Sequence, residues 1–303
     1  MSSNLQPMPD RVLAAAAPDA GIAFLAATTT ELVADAQRRH DLWPTAAAAV
    51  GRLLTGAVLF GANLKGHERV SLQIAGSGPL RSAVAEAWLL DERTIGARAY
   101  AANPHVDLPI DERGKFDVSG AIGEGTLQVT RSYEIGQPYV GVVPLHSGEI
   151  AEDLAAYLAR SEQIPSVVAL GVLANPQGIA AAGGVLAQVL PGADDAAVAR
   201  LEARATAFPP VTSTIAGGGD AHALLHQLAV DLELRSHRTV EVRFACTCTP
   251  EKVEAALLGL GAEELARMSG ERGETEAVCE YCKTPYAFTS GEIRALAARL
   301  RAD

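Results

Sequence analysis

Apolar and polar residues alternate at two different periods along the first 190 residues. In residues 70–74 and 127–129 the apolar side chains stand at every second position with polar residues between them, which predicts strands with one wet face. Residues 139–145 and 166–174 are more continuously apolar and predict buried strands. Asn175-Pro176-Gln177-Gly178 then predicts a turn into a returning strand over residues 183–190.

Helical periodicity separates these strands. Residues 30–42 and 46–63 each predict a helix, the second one apolar on nearly every side and therefore buried. Residues 147–163 predict a third helix, with Ser147 at its N-terminus and acidic residues in its first turn. Strands and helices do not alternate regularly, so the predicted class is α+β: a mixed sheet-and-helix core over residues 1–190.

The pattern changes after Pro191-Gly192. Two helices are predicted, over residues 194–207 and 220–232, with Pro209-Pro210 and three consecutive glycines between them. The segment has few large apolar residues for its length. We therefore expect residues 191–245 to form a lightly anchored helical linker that ends in a strand over residues 239–244.

Composition narrows the possible functions. The chain has 303 residues, of which 49% are hydrophobic, and this excludes a wholly disordered protein. A formal net charge of −11 argues against general binding to nucleic acid, because phosphate backbones are repelled. The first 21 residues lack a basic lead-in to a long apolar run, so no signal peptide is predicted. Arg52 and three glycines interrupt the longest apolar stretch, residues 46–64, which favours a core helix and not a membrane span. We therefore expect the protein to be located in the cytoplasm.

All four cysteines lie in the last 58 residues, as Cys246-x-Cys248 and Cys279-x-x-Cys282. Two close thiol pairs supply the four soft ligands of a closed tetrahedral zinc site, so we expect one zinc ion per chain. The tail of residues 246–303 also has few large apolar residues, and so small a domain usually needs a staple such as a metal. Four unrelated buried thiols and an iron–sulfur cluster are the weaker alternatives.

The same thiols can carry redox chemistry. If zinc leaves, either close pair can become a disulfide, and a thiolate is the form that reacts with peroxide. Oxidation would remove the ligands together with the folding free energy that the metal supplies. The residues alone leave open whether the zinc is purely structural or part of a redox switch.

Other sites are less well supported. His222 and His226 are four residues apart on a predicted helix, but Ala223 stands where a zinc protease has glutamate, so a solvated pair is expected. Cys279-x-x-Cys282 lacks the strand and long helix that flank the motif in thiol oxidoreductases. A nucleic-acid-binding zinc ribbon remains the main rival, although residues 246–303 carry a net charge of −3. Without a P-loop, no nucleotide is expected, and the chain is predicted not to be an enzyme.

Several longer stretches resemble sequences of the redox-regulated 33 kDa chaperonin family, whose members are bacterial heat-shock holdases. The two cysteine pairs and the residues after Cys248 are similar to the zinc domain of that family. The matching stretches are Pro250-Glu251-Lys252-Val253-Glu254-Ala255-Ala256-Leu257, Gly51-Arg52-Leu53-Leu54-Thr55-Gly56-Ala57, Leu72-Gln73-Ile74-Ala75-Gly76-Ser77-Gly78-Pro79-Leu80, Ser147-Gly148-Glu149-Ile150-Ala151-Glu152-Asp153-Leu154 and Ser161-Glu162-Gln163-Ile164-Pro165-Ser166. They recur in the family's order from about Phe24 to Leu300.

The resemblance implies a core (1–190), a metastable linker (191–245) and a C-terminal zinc-binding redox-switch domain (246–303). It implies zinc held by the four cysteines in a reduced, inactive form. Oxidants would then pair Cys246 with Cys248 and Cys279 with Cys282, zinc would leave and the linker would unfold. The exposed surface would hold unfolding proteins, and the oxidised form is expected to allow a homodimer. No nucleic acid, membrane or nucleotide is implied as a partner.

Two details extend or depart from this pattern. In the reduced form we expect the folded tail to cover apolar surface such as Phe208, Leu224, Leu225 and Leu228. Lys283 follows the last cysteine where a smaller turn residue is expected, and His146 replaces an apolar residue before the Ser147 motif. Neither substitution touches the four cysteines.

Overall fold

The computed structural model describes residues 9–110, 114–271 and 274–302. These residues form two compact units, Met1–Ala245 and Cys246–Asp303. The chain is of the α+β class, as predicted.

A large sheet organises the first unit. Its ten described strands are β1 (Arg11–Ala17), β2 (Ile22–Thr28), β3 (Arg69–Gly76), β4 (Ser82–Asp91), β5 (Thr94–Ala101), β6 (Gly125–Ser132), β7 (Tyr139–Pro144), β8 (Ser166–Asn175), β9 (Gly178–Val189) and β10 (Arg235–Phe244). Their spatial order is β7-β6-β3-β4-β5-β10-β1-β2-β9-β8. All neighbours are antiparallel except β5 and β10, which run parallel.

Seven described helices pack on this sheet or follow its strands. They are α1 (Thr30–His40), α2 (Pro44–Gly61), α3 (Val118–Ile122), α4 (Ile150–Tyr157), α5 (Asp195–Thr206), α6 (Val211–Ala216) and α7 (Ala221–Leu228). A 3-10 turn at Pro18–Ala20 joins β1 to β2, and a π-helical turn at Leu158–Glu162 extends α4.

The alternating strands follow the predicted pattern. Leu72 pairs with Val129 and Ile74 with Leu127 across β3 and β6, and all four side chains are buried. The predicted hairpin after Asn175 is confirmed, with β9 starting at Gly178.

Helix α2 is the buried helix that the sequence predicted. By length and composition it could span a membrane, but 89% of that window is buried inside the structure. It forms the centre of the larger apolar core, which also includes residues of α1, α4 and one face of the sheet.

The start of α4 differs from the prediction. The helix begins at Ile150, not at Ser147, and Glu149 occupies the N-cap without a side-chain hydrogen bond. The Ser147 hydroxyl instead accepts the backbone N–H of Glu149 at 3.1 Å, which closes a local turn before the helix. Asp153 accepts the backbone N–H groups of His146 (2.7 Å) and Ser147 (3.1 Å), so the carboxylate orders this turn from inside the helix.

The segment predicted as a lightly anchored linker packs within the first unit. Helices α5–α7 bury Leu201, Val211 and Leu224 in a second apolar core on the other face of the sheet, opposite α1 and α2. Strand β10 lies inside the sheet between β1 and β5. The expectation of light anchoring is therefore wrong for the folded state. The reason is that alanines on the sheet and on the helices bring the two layers close, so that a few leucines fill the space between them. The low count of large apolar residues therefore did not predict how well this segment packs.

This second core also changes the expected role of Leu224, Leu225 and Leu228. The sequence suggested that the tail covers them, but they pack on Leu13, Phe24 and their neighbours in the first unit's own sheet. Their burial does not need the tail.

The second unit is small. Its described elements are α8 (Pro250–Leu258), α9 (Ala262–Glu271), β11 (Glu274–Val278), β12 (Pro285–Thr289) and α10 (Ser290–Ala302). Strands β11 and β12 form an antiparallel hairpin. Among its described residues, the buried apolar core contains six: Leu257, Leu265, Phe288, Ile293, Leu296 and Ala297.

Candidate metal centre

The first cysteine pair lies on the segment that leads into α8. Thr249 caps this helix, because its hydroxyl accepts the backbone N–H of Lys252 at 3.3 Å, and Pro250 occupies the first turn. The Lys252 ammonium donates to the carbonyl oxygen of Thr247 at 2.6 Å. The residue between Cys246 and Cys248 is thus tied to the helix that follows them.

The second pair lies in the turn between β11 and β12. The backbone N–H of Cys279 donates to the Thr284 carbonyl at 3.0 Å, and that of Lys283 donates to the Cys279 carbonyl at 2.8 Å. Lys283 adopts a left-handed backbone conformation with φ of +57°. This conformation explains why the sequence pattern favours a smaller residue there.

The fold brings the four thiols together. Their Sγ atoms all lie within 4.8 Å of one another, and all four cysteines are free thiols. The Sγ atoms of Cys246 and Cys279 are 3.8 Å apart, and those of Cys248 and Cys282 are 3.3 Å apart. Each of these contacts joins one cysteine of the first pair to one of the second.

These distances fit a four-coordinate metal. Metal–sulfur bonds of about 2.3 Å in a regular tetrahedron place the sulfurs about 3.8 Å from one another. Four thiolates and no carboxylate or imidazole form a closed, soft donor set of the kind that structural zinc prefers. Within the described residues, no other cluster of three or more His, Cys, Asp or Glu side chains brings its ligand atoms this close together. The four residues predicted as ligands can therefore bind a metal ion.

Two hydroxyl groups contact the sulfurs. The Tyr286 hydroxyl donates to Cys248 Sγ at 3.1 Å, and Cys282 Sγ lies 3.2 Å from Thr284 Oγ1. The sequence analysis did not single out either residue. The signal was their position two and four residues after Cys282: Thr284 lies in the turn just before β12, and Tyr286 lies on β12.

The thiols differ in acidity. Burial raises the pKa of Cys248 to about 12, although the Tyr286 hydrogen bond acts in the opposite direction. Burial also raises the pKa of Cys282, but hydrogen bonds from the side chain and backbone of Thr284, with those from neighbouring thiols, outweigh it and lower the pKa to about 6. Burial raises the pKa of Cys279 above its usual range. The hydrogen bond to Cys248 raises the pKa of Tyr286 to about 12.

The other candidate pair lies elsewhere. His222 and His226 stand on α7 with exposed side chains, and no third ligand joins them among the described residues. They are the solvated pair that the sequence favoured.

Comparison with known proteins identifies the family. The family model described as "Hsp33 protein" matches residues 10–289. The chain belongs to the Hsp33 family. A 33 kDa chaperonin of Bacillus subtilis is 39% identical over 289 residues, which cover 95% of this chain and 98% of the relative. A 33 kDa chaperonin of Geobacter sulfurreducens is 42% identical over 288 residues, 94% of this chain and 93% of the relative.

A solved structure agrees with the sequence relatives. The crystal structure of the 33 kDa chaperonin (Hsp33 homologue) of Thermotoga maritima has a TM-score of 0.88 and 37% sequence identity, and the match covers 98% of this chain and all of that one. The resemblance inferred from the sequence motifs is confirmed. Hsp33 proteins are chaperones and not enzymes, as was predicted for this chain.

Proposed function

We propose that this Hsp33 chaperone is a redox-regulated holdase, inactive when reduced and zinc-bound, which binds unfolding proteins after oxidation. The observation that carries the proposal is the convergence of four free thiols in a small unit of its own. A chain of this size has no need of four mutually adjacent thiols for packing. The arrangement supports a metal site that oxidation can dismantle.

The metal is zinc, one ion per chain, held by Cys246, Cys248, Cys279 and Cys282. When bound, zinc supplies folding free energy, on the order of 10 kcal/mol in small zinc domains. The second unit depends on that contribution, because its buried core contains six residues, one of them an alanine. Zinc therefore couples the redox state of the thiols to the folding of residues 246–303.

Oxidation pairs Cys246 with Cys248 and Cys279 with Cys282. In each pair two thiols give up two protons and two electrons to peroxide, which leaves as two molecules of water, and one S–S bond forms. Both rings are very short in sequence, so they constrain the chain little and do not connect the two halves of the unit. The disulfides thus remove the ligands without replacing the metal.

The client surface lies under the linker helices of residues 191–245. If α5–α7 leave the sheet, they uncover Leu13, Ile22, Phe24 and Val185, which form its second apolar face. A contiguous apolar surface of this kind binds the apolar segments of unfolding proteins. The leucines of α7 are released at the same time and add to the exposed area.

Other features of the proposal follow from the same chemistry. Reduced thiols fit a cytoplasmic location. The net charge of −11 disfavours nucleic acid as a partner. Release of clients would come from reduction or from other chaperones, and the exposed apolar surface of the oxidised form allows a homodimer.

The test measures zinc, oxidation and holdase activity on the same preparation. Reduced protein should contain close to one zinc per chain by elemental analysis and should not suppress aggregation of a thermally unfolding client. Peroxide at mild heat should release the zinc to a chromogenic chelator and turn suppression on. Strong activity of the zinc-bound reduced form, or none after both disulfides have formed, would contradict the proposal. Cys246→Ser should lower the zinc content sharply.

A further inference from the structure

Strand β10 belongs to the segment proposed to unfold, yet it lies in the interior of the large sheet. It is hydrogen-bonded on one side to residues 11–16 of β1 and on the other to residues 94–97 of β5. Its last residue, Phe244, is followed by one alanine and then by Cys246. Unfolding of residues 191–245 therefore removes an interior strand and not an edge strand.

The strands on either side of β10 are supported without it. Strand β1 pairs with β2 over seven residues, and β5 pairs with β4 over eight. Helix α2 packs on β4 and β5 and also on β2 and β9, while α1 packs on β5 and β9 as well as on β10. Because both helices bridge the two parts of the sheet from one face, loss of β10 leaves a gap between strands that are still held in place. At the ordinary spacing of strands the gap is about 9.5 Å wide, which is room for one extended chain.

Both edges of this gap present backbone groups that need a partner. The Val242 N–H donates to the carbonyl of Asp10 at 2.9 Å, next to β1, and the Glu241 N–H donates to the carbonyl of Arg93 at 2.8 Å, next to β5. These carbonyls lose their partner when β10 leaves, and an unpaired backbone group inside a sheet is unfavourable. Any extended segment restores such bonds whatever its sequence, because the donors belong to the main chain.

The side chains of β10 show what kind of segment fits the gap. Val240 and Val242 are buried in the larger core, and Phe244 packs against that core. The Arg39 guanidinium of α1 lies 3.9 Å from the centre of the Phe244 ring. The intervening side chains, from residue 239 to residue 243, are exposed. The gap therefore requires apolar side chains at every second position and accepts polar ones between them, which is the pattern of a half-buried strand.

We propose that the gap left by β10 is a client-binding site that takes up an extended segment with apolar residues at alternate positions as a replacement strand between β1 and β5. This inference rests on the proposed function, since the linker must unfold before the gap exists. A client segment also has an advantage over β10. The described pairing of β10 with β5 covers only residues 94–97, whereas a longer segment can continue along β5 to Ala101. Longer client strands therefore compete successfully with β10 for the gap.

Hydrogen exchange on the full-length protein tests whether a client replaces β10. The probe is a soluble, permanently unfolded protein whose own cysteines have been reduced and carboxymethylated. After peroxide treatment, amides of β1, β5 and β10 should all lose protection. Addition of the probe should slow exchange in β1 and β5 by about tenfold while β10 stays unprotected, and β3 should be unchanged throughout.

The exchange pattern separates the gap from the proposed function as a whole. Suppression of aggregation is measured on the same oxidised sample, and its absence would contradict the proposed function. If the oxidised protein suppresses aggregation but β1 and β5 stay protected, or if the client does not slow their exchange, the gap is not the binding site. Recovery of protection in β10 together with β1 and β5 would also overturn the proposal, because β10 itself would then have refilled the gap.

Two peptides of identical composition test the side-chain pattern. The first is a labelled twelve-residue peptide in which valines alternate with threonine and lysine, with one phenylalanine near its C-terminus as in β10. In the second peptide the apolar residues are consecutive. By fluorescence anisotropy, the alternating peptide should bind the oxidised protein about tenfold more tightly, and N-methylation of its backbone should abolish this binding. Equal affinities of the two peptides would contradict pairing as a strand.

Arg39→Ala tests the position that Phe244 occupies. It should weaken binding of the alternating peptide about threefold, and it should have no effect when valine replaces the phenylalanine of that peptide. Arg38→Ala is the matched control, because Arg38 also pairs with Asp35 but its side chain is 63% exposed. A similar loss with Arg38→Ala, or with the peptide that lacks phenylalanine, would show that no client aromatic group binds beneath Arg39.

Discussion

Lys283 carries backbone strain at the turn that presents Cys279 and Cys282. Its φ of +57° lies in the left-handed region, which costs a non-glycine residue roughly 1–2 kcal/mol. Its ammonium also pairs with Glu280 at 2.7 Å, but the pair is on the surface and contributes little. The turn is therefore less preorganised than the same turn with glycine.

Lys283→Gly should relieve this strain. Glycine also gains entropy in the unfolded chain, which offsets part of the relieved strain. We therefore expect the zinc-loaded second unit to be stabilised by about 0.5–1 kcal/mol. Competition with a chelator should show zinc binding tighter by about threefold. Lys283→Ala is the matched control, because it loses the ion pair but keeps the strain; a gain as large as that of glycine would refute the explanation.

Asp10 is a buried carboxylate at the N-terminus of α1. It accepts the backbone N–H of Leu32 at 2.7 Å, and its side chain is almost fully buried. Burial raises its pKa to about 7, against the opposing effect of the backbone hydrogen bonds and with a further increase from Glu31. The folded state therefore holds this proton more tightly than the unfolded chain does.

The raised pKa of Asp10 makes the stability of the folded state depend on pH. Stability from Asp10 is fully present below pH 3.8, the unfolded value, and is lost as pH rises through about 7. The whole effect amounts to about 4 kcal/mol at most. Urea unfolding of reduced protein between pH 5 and pH 8 should show a steeper fall in stability for wild type than for Asp10→Asn. Asp35→Asn, at a partly exposed position of α1 itself, should keep the wild-type slope; identical slopes in all three proteins would exclude this role.

At the level of elements, the sequence predicted those strands whose two faces differ. Strands β3 and β6 have one wet face, so period 2 revealed them. Strands β1 and β2 were missed because helices pack on both of their faces: Val12 belongs to the larger core and Leu13 to the second one. A strand buried on both sides loses the alternation by which it would be recognised.

The thiol site also combines features that the sequence predicts with features that it does not. The cluster of four cysteines was predictable because metal-binding cysteines commonly occur in pairs that are close in sequence, whereas Tyr286 reaches Cys248 across 38 residues of chain. The capping box of α10 was also predictable, being local: Glu292 accepts the Thr289 backbone N–H at 2.7 Å, and Thr289 accepts that of Glu292 at 3.3 Å. Contacts between residues that are far apart in the chain depend on tertiary packing, so they have no fixed sequence spacing from which to predict them.

The helix layer α5–α7 is the element on which the proposed activation depends. Leu224→Ala removes a fully buried side chain from α7 and should weaken this layer by about 2–5 kcal/mol. We expect the variant to suppress client aggregation at lower peroxide doses than wild type, with zinc still bound before treatment. Leu53→Ala in α2 makes a similar cavity in the larger core and is the control. If both variants respond to peroxide like wild type, the layer does not limit activation.

At the scale of the whole molecule, the two units are stabilised by different means. The first unit has two apolar cores on opposite faces of a ten-stranded sheet, whereas the described part of the second has one apolar cluster of six buried residues together with the thiol cluster. Removing metal should therefore affect them unequally. The second unit loses a contribution that its small core cannot replace, while the first keeps all of its packing.

Hydrogen exchange on the full-length reduced protein tests this difference. After treatment with a strong zinc chelator, amides of β11, β12 and α10 should lose protection, whereas those of α2 and of strands β3 to β6 should remain as slow as before. Readdition of zinc should restore protection in the second unit. Amides of α5–α7 report the coupling: if residues 191–245 act as a metastable linker, their protection should fall with that of the second unit, though less completely. Unchanged exchange in β11 and β12 after the zinc has been removed would show that metal does not stabilise this unit, and the proposed switch would lose its basis.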